Sequence, residues 1–445
     1  MAAAVELRGP KRHLLAGNLP EFRRDRLGFL TTCAREHGDV VPLRFGVFRA
    51  LFINHPDAIE QVLGNSRSFV KSFAYDMVRP VIANGLLLSE GDFWMRQRRL
   101  AQPAFQRARM GEAYTPIVVE RTRRMLDAWT AGGVRDVHAE MMRLTSQVAG
   151  QAFFGADVSG AVDEVSRQLL VLTELLTKRL DSVLAFLPDR IPTPTNLRVH
   201  RAVKNLDAII YLIIDQRRRS GVVQDDLLSR LLGARDEDGS GMSDRQLRDE
   251  VMTFYLAGHE TTSLLLSWTL YLMAGHPAVQ ERLREEVTAQ GDGPPTVADL
   301  VRLPYLDAVL CETLRLYPPA WGLGRKAVAD CEVAGYRVPK GGSILFSQWV
   351  MHRDPRFFDD PDRFHPERWL DGLQKRLPRY AYFPFGGGQR ICIGANFAMM
   401  EAAFVLIMLL QRFRFEPAPG FEVVLWPAFT LRPKTGVRLT VNQAA

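Results

Sequence analysis

The stretch Phe383-Pro384-Phe385-Gly386-Gly387-Gly388-Gln389-Arg390-Ile391-Cys392-Ile393-Gly394 constrains this chain more than any other. It is a glycine-rich loop carrying one cysteine, and it runs straight into the apolar, helix-forming segment Ala395 to Phe413. Consecutive glycines let a backbone approach something flat and bulky, and Gly394 removes a side chain just after the cysteine. A thiolate at the head of a helix gains from the N-terminal dipole and from unpaired backbone N–H groups, which favour the ionised ligand form. A lone cysteine is more often a small buried hydrophobe. The phenylalanine, glycines and arginine at fixed offsets favour the other reading, in which Cys392 is a metal ligand.

At 445 residues the chain has room for an ample core, as one large helical unit or as two or three average domains. With 47% apolar and 24% charged residues it is globular in composition. Cys33, Cys311, Cys331 and Cys392 include no CxxC pair, which argues against a disulfide scaffold or zinc finger and suits a reducing compartment. Met1 to Pro20 sets Glu6, Arg8, Lys11 and Arg12 among its alanines, so it reads as neither signal peptide nor membrane anchor, and a cytoplasmic location is expected. The net charge of +7 alone would admit nucleic acid, but the arginines are dispersed, and an acidic protein partner explains the excess as well.

Residue patterns predict a helix over Phe22 to His37, a hairpin of strands Val40 to Gly46 and Arg49 to Asn54, and a helix from Pro56 to Leu63. The stretch Phe69 to Gly85 reads as irregular. Its Phe73, Tyr75 and Met77 suit a substrate-contacting loop and an ordinary aromatic-anchored loop equally. In Gly91 to Leu100 a helix puts Trp94 and Arg98 on one face, an indole N–H and a guanidinium that together suit a buried carboxylate. Solvated arginines on an amphipathic helix are the plainer reading. From Met110 to Gln216 the pattern is repeatedly helical, with breaks at Gly132-Gly133 and Leu187 to Pro194.

Ser243 and Gln246 form a capping box that opens the longest helix, running to about Gly275-His276-Pro277. His259 and Glu260 interrupt its apolar run, so it does not read as a membrane span. Within it, Ala257-Gly258-His259-Glu260-Thr261-Thr262 breaks local rules, since a glycine and β-branched threonines weaken a mid-helix ladder and a buried carboxylate is expensive without work to do. Glu260 and Thr261 read as a proton-delivery pair. A kinked helix with Glu260 in solvent is the alternative. Further on, Glu312 and Arg315 stand three apart, and Arg368 would join them if the fold brings it there. Arg337 to Gly342 reads as a turn between short β segments, and Phe421 to Thr440 reads as β.

With these residues in place, the sequence resembles the cytochrome P450 family over nearly its whole length. Phe385, Gly388, Arg390, Cys392 and Gly394 fill the family's haem-binding loop, and Glu312, Arg315 and Arg368 match its buried triad. Ala257 to Thr262 match the oxygen-binding kink, and Trp94, Arg98 and Arg325 match haem propionate donors.

The resemblance implies a mainly α fold with small β-sheets (α+β), with haem between the long helix 243–275 and the cysteine loop and helix 383–413. It implies one haem domain over 1–445, with a β-rich N-terminal lobe at about 38–55 plus 320–345 and no fused reductase. Cys392 would be the axial iron ligand, with Trp94, Arg98, Arg325, Phe385, Arg390 and Gly394 around haem b. Gly258 would leave room for O₂, Thr261 would hold a water or the reduced oxygen species, and Glu260 would relay protons from outside. The implied activity is a monooxygenase that hydroxylates or epoxidises an apolar substrate, a fatty acid or terpenoid. The candidate pocket residues are Phe73, Tyr75, Met77, Phe254, Ala257, Ala320, Trp321 and Leu323.

Electrons would come from NAD(P)H through a separate reductase and a ferredoxin or flavodoxin, because no Gly-x-Gly-x-x-Gly fingerprint is present. Arg96, Arg99, Arg107 and Arg109 are the candidate docking face for that partner. No nucleic acid and no transmembrane anchor are expected, and the protein should be a monomer. A peroxide-driven peroxygenase and a non-catalytic haem-thiolate sensor are the rival functions.

Overall fold

The computed structural model describes residues 8–106, 110–155, 191–221 and 224–444, together with 164, 167, 168, 171, 172 and 175. The expectations for the Phe73 side chain, for Arg107 and Arg109, and for part of the Leu187 to Pro194 turn fall outside the described residues. The chain gathers into two units, the first made of residues 1–76, 311–392 and 429–431, the second of 77–310, 393–428 and 432–445.

In the first unit, the hairpin expected from the β-branched and aromatic runs forms between Val40–Phe45 and Phe48–Ile53. The second of these strands runs parallel to Ser343–Phe346, followed by Leu323–Ala327 and Phe69–Lys71, both antiparallel, to make a five-stranded sheet. Alternation buries Val41, Leu43 and Phe52 against Leu30, Cys33 and Val350, which is one core of the unit. The single helix expected over Phe22 to His37 is two helices, Leu19–Arg24 and Arg26–His37. Asp25 breaks it: its backbone is extended and its carboxylate accepts the Gly28 N–H, a cap that competes with helix continuation. Nor is Phe69 to Gly85 irregular, since after the strand come a 3₁₀ turn, Phe73–Val78, and a short helix, Arg79–Ile82.

The second unit is built on the helix Asp244–Ala274, whose 31 residues span about 46 Å. Both halves of its capping box are made, Gln246 N–H to Ser243 Oγ at 3.3 Å and Ser243 N–H to Gln246 Oε1 at 2.8 Å. Its most extensive partner is the helix Val137–Phe154, and Ala395–Arg412 and Pro194–Ser220 also pack on it. The Gly132-Gly133 break leads into a strand, Gly133–Asp136, which pairs with Arg438–Gln443, itself paired with Phe413–Pro417. Ala395–Arg412 is the one helix among the described residues long and apolar enough to cross a membrane, and its apolar window is 67% buried inside the protein, as befits a core helix.

Candidate active site

The glycines of the cysteine loop are required, for a reason the sequence does not reveal. Gly386 and Gly388 adopt φ of 74° and 63°, the left-handed region that side chains disfavour. A Cβ on Gly388 would lie 2.0 Å from the Leu63 carbonyl oxygen, and one on Gly387 would lie 2.2 Å from the Tyr380 ring. These two glycines thus let the loop close onto its own protein support, whereas the sequence suggested approach to a flat ligand. Gly394 keeps the expected openness, with only Phe105 near its absent side chain, at 3.9 Å.

The Cys392 N–H donates to the Phe385 carbonyl at 3.0 Å and closes the loop, leaving the cysteine exposed. Cys33 and Cys311 are buried, so among these cysteines the buried-hydrophobe reading fails for Cys392. Arg390 is half-buried at the end of the 3₁₀ turn Gly388–Arg390. Gly388→Ala should destabilise the fold by about 2 kcal/mol or more, combining left-handed strain with a backbone clash. Thermal melting of the purified variant against the parent checks this.

Below the loop, the Glu312 carboxylate accepts five N–H groups. They are Arg315 Nε and Nη2 at 2.8 Å each, Trp369 Nε1 at 2.8 Å, His365 N at 3.0 Å and Arg368 Nε at 3.1 Å. Burial pushes this carboxyl up, but the Arg315 hydrogen bonds and charge, with Arg368 and the His365 N–H, hold it below the usual range. The predicted triad is assembled, and sequence reasoning missed Trp369 as a partner. Arg315 also donates through Nη1 to the carbonyls of His352 at 2.9 Å and Pro361 at 2.6 Å, and through Nη2 to Arg363 at 3.0 Å. His352 Nε2 accepts the Phe383 N–H at 3.0 Å, and burial, with the Arg315 and Arg353 charges, lowers this histidine to about 3, so it stays a neutral acceptor. Arg325 is 5% exposed, yet its guanidinium makes one protein hydrogen bond among the described residues, from Nη1 to the Gly324 carbonyl at 2.9 Å. A buried cation with unspent donors is the chemistry a propionate requires.

In the second unit, Trp94 is buried and Arg98 half-buried on the helix Gly91–Ala101, with Arg98 Nε donating to Gln102 Oε1 at 2.9 Å. The neighbouring arginines are spent within the chain. Arg96 pairs with Asp236 at 2.9 Å, and Arg99 with Asp236 at 2.6 Å and Glu237 at 3.6 Å. The charged loop Arg235 to Gly241 therefore neutralises the described part of the expected docking face.

From Leu247 to Ala274 the long helix is buried except at Leu256, Ala257, Gly258, Thr261 and Tyr271. That opening lies over the motif picked out by sequence, and Ala257 is its most exposed point. The helix runs unbroken through the motif even though Thr261 Oγ1 donates to the Ala257 carbonyl at 2.7 Å and Thr262 Oγ1 to that of Gly258 at 2.9 Å, bonds that compete with the backbone ladder. On one side Gly258 meets protein, since a Cβ there would stand 3.3 Å from the Phe153 ring, so the side chains in the opening beside it are those of Ala257 and Thr261. Glu260 is buried, not solvated, and pairs with Arg432, whose Nε donates at 2.8 Å and whose Nη2 lies at 2.5 Å. Beside this pair, burial lowers His138 to about 4, and its Nδ1 lies 3.1 Å from Ser267 Oγ. Arg432 stands 172 residues from Glu260, and no sequence signal joined them.

The candidate pocket residues divide. Phe254 packs on Phe105 with ring centroids 5.2 Å apart, and Ala257 lies in the opening. Tyr75 is buried edge-on to Phe429 at 6.1 Å, beneath Lys71. Met77, Ala320 and Leu323 are half-buried. Trp321 packs against the Leu30, Val41 and Phe52 core, and its carbonyl accepts the Ser347 hydroxyl at 2.6 Å, which is a structural position.

In the first unit, an exposed thiol on a closed loop and a buried guanidinium with spare donors fit the haem that the motifs imply; in the second, taken by itself, the opened helix carries a hydroxyl. The family model for Cytochrome P450 matches residues 7–439. The chain is 38% identical over 409 residues to Cyclooctat-9-en-7-ol 5-monooxygenase of Streptomyces melanosporofaciens, covering 91% of this chain and 88% of that one. It is 36% identical over 422 residues to Cyclooctatin synthase of the same organism, covering 94% and 91% of the two chains. It is 34% identical over 414 residues to Pentalenene oxygenase of Streptomyces avermitilis, covering 92% and 91%. By its cysteine loop, its buried triad and a family match that spans almost every residue, this chain belongs to the cytochrome P450 family of haem-thiolate monooxygenases.

Proposed function

We propose that the chain acts as one haem domain that hydroxylates or epoxidises a cyclic terpenoid, with haem b as cofactor. The observation that carries this reading is the opening at Ala257 and Thr261 in an otherwise buried helix, next to a carboxylate whose charge is held on Arg432. The terpenoid class is supported by the relatives, two of whose names specify cyclooctat-9-en-7-ol and pentalenene. The aromatic pair Phe105 and Phe254 adds apolar wall for such a substrate.

Cys392 would ligate the iron as a thiolate, with Arg325, Trp94, Arg98 and Arg390 holding the propionates. When bound, the haem supplies dioxygen activation and insertion of one oxygen atom into the substrate. The chain's own work is proton handling and positioning. Thr261 spends its hydroxyl proton on the Ala257 carbonyl, so its lone pairs remain to accept a hydrogen bond from a water or an acid in the opening. Glu260 stores its charge on Arg432 and delivers a proton only after it parts from that guanidinium. Electrons from NAD(P)H would arrive through a ferredoxin or flavodoxin and its reductase, with the protein a cytoplasmic monomer.

Thr261→Ala tests the proton assignment. Haem content and substrate affinity should match the parent, while product per NAD(P)H falls about tenfold and peroxide rises in its place. Fully coupled turnover by this variant would remove Thr261 from the mechanism.

A further inference from the structure

A second carboxylic acid lies on the same stripe of the long helix as the opening. Glu250 stands seven residues before Ala257 and eleven before Thr261, spacings that return to one helix face, and it lies about 10 Å along the axis from Ala257. Its side chain is not a solvated charge, since the residue is 1% exposed. One oxygen, Oε2, accepts the Leu86 N–H at 2.9 Å, while the other, Oε1, makes no hydrogen bond among the described residues and is not among the oxygens sealed away without a partner, so it keeps some accessible surface.

The support beneath it is tight. Asp249 Oδ2 accepts the Asn84 N–H at 3.2 Å, and a Cβ on Gly85 would fall 2.0 Å from Thr253 Oγ1 and 2.5 Å from the Asp249 carbonyl oxygen. The preceding Ala83 is held at φ 42°. Residues 84–86 are thus pressed onto one turn of the helix, which fixes the Glu250 carboxyl by one oxygen. Burial, and then the nearby Asp249 charge, outweigh the Leu86 N–H and raise this carboxyl to about 8. At neutral pH it therefore carries a proton that it can donate.

We propose that Glu250 is a specificity-determining residue that hydrogen-bonds an oxygen already present on the substrate, so that a terpenoid alcohol is bound by its hydroxyl end and its far end is presented at Ala257 and Thr261. The inference rests on the terpenoid reading above. It also places the enzyme after another oxygenation or a water-quenched cyclisation, the classes of reaction that leave a hydroxyl on such a skeleton.

The test is a binding comparison on the haem-loaded enzyme, using a C20 cyclic terpene alcohol and its deoxygenated hydrocarbon, read as the spin-state shift of the Soret band. The parent should prefer the alcohol by about tenfold, the worth of one well-made hydrogen bond. Glu250→Ala should bring that preference close to one and scatter the site of oxidation, while the Kd of the hydrocarbon stays put. Glu250→Gln keeps an acceptor for Leu86 and a donor for the ligand, so it should fold as the parent does and retain most of the preference. An alcohol preference unchanged in Glu250→Ala, or lost equally in Glu250→Gln, overturns the proposal and leaves the terpenoid reading standing. A parent enzyme that shifts with neither compound overturns both.

Discussion

Cys392→Ala is expected to abolish oxygenation, with turnover falling by more than about a thousandfold, or roughly 4 kcal/mol or more of transition-state stabilisation. The residue stands exposed on a loop that the Cys392 to Phe385 hydrogen bond closes through the backbone, and that bond survives the loss of Sγ. The variant should therefore melt close to the parent without haem. The diagnostic is the carbon monoxide complex of the reduced protein. The parent should give the strongly red-shifted Soret band of a thiolate ligand, and the variant should not. Retention of that band in Cys392→Ala would remove the assignment, since no other described cysteine is exposed.

Glu312→Ala is expected to have the largest effect on the fold, about 3–5 kcal/mol, because it strands the Arg315 guanidinium at zero exposure with its charge uncompensated. Trp369, Arg368 and the His365 N–H lose their acceptor in the same stroke. Arg368→Ala should cost far less, about 1–2 kcal/mol, since it removes a single 3.1 Å contact to Glu312 and leaves the Arg315 pair intact. Denaturant titration of the two variants side by side gives the order, and an Arg368→Ala protein as damaged as Glu312→Ala would contradict the hierarchy.

Sequence carried the local features well and the long-range ones unevenly. The capping box of Ser243 and Gln246 and the helix Pro56–Leu63 were legible because their signals sit within a few residues. Arg368 was reachable from Glu312 because family order supplied what spacing could not. Arg432 was not, because an ion pair between a mid-chain helix and a late strand leaves no periodic trace. Asp25 was misread as helical since a cap inside an apolar pattern looks like one more polar position. Two glycines of the cysteine loop, Gly387 and Gly388, answer to close approach by a protein neighbour that the sequence could not name, while Gly386 and Gly394 stay open. The backbone of Leu63 and the ring of Tyr380 are what Gly388 and Gly387 admit. The arginines at 96 and 99 looked free because charge patterning does not show that Asp236 is folded against them.

The Arg315 guanidinium has consequences for the order in which the protein assembles. All five of its N–H groups are engaged, by Glu312 within its own helix and by carbonyls 37, 46 and 48 residues later. Each of those closures must be reached against chain entropy before the last donor is satisfied, and a buried guanidinium left with any donor open is unstable. The segment from His352 to Trp369 should therefore lock in one concerted, late event, and proteolytic nicks in it should accumulate during refolding until that moment and stop abruptly afterwards.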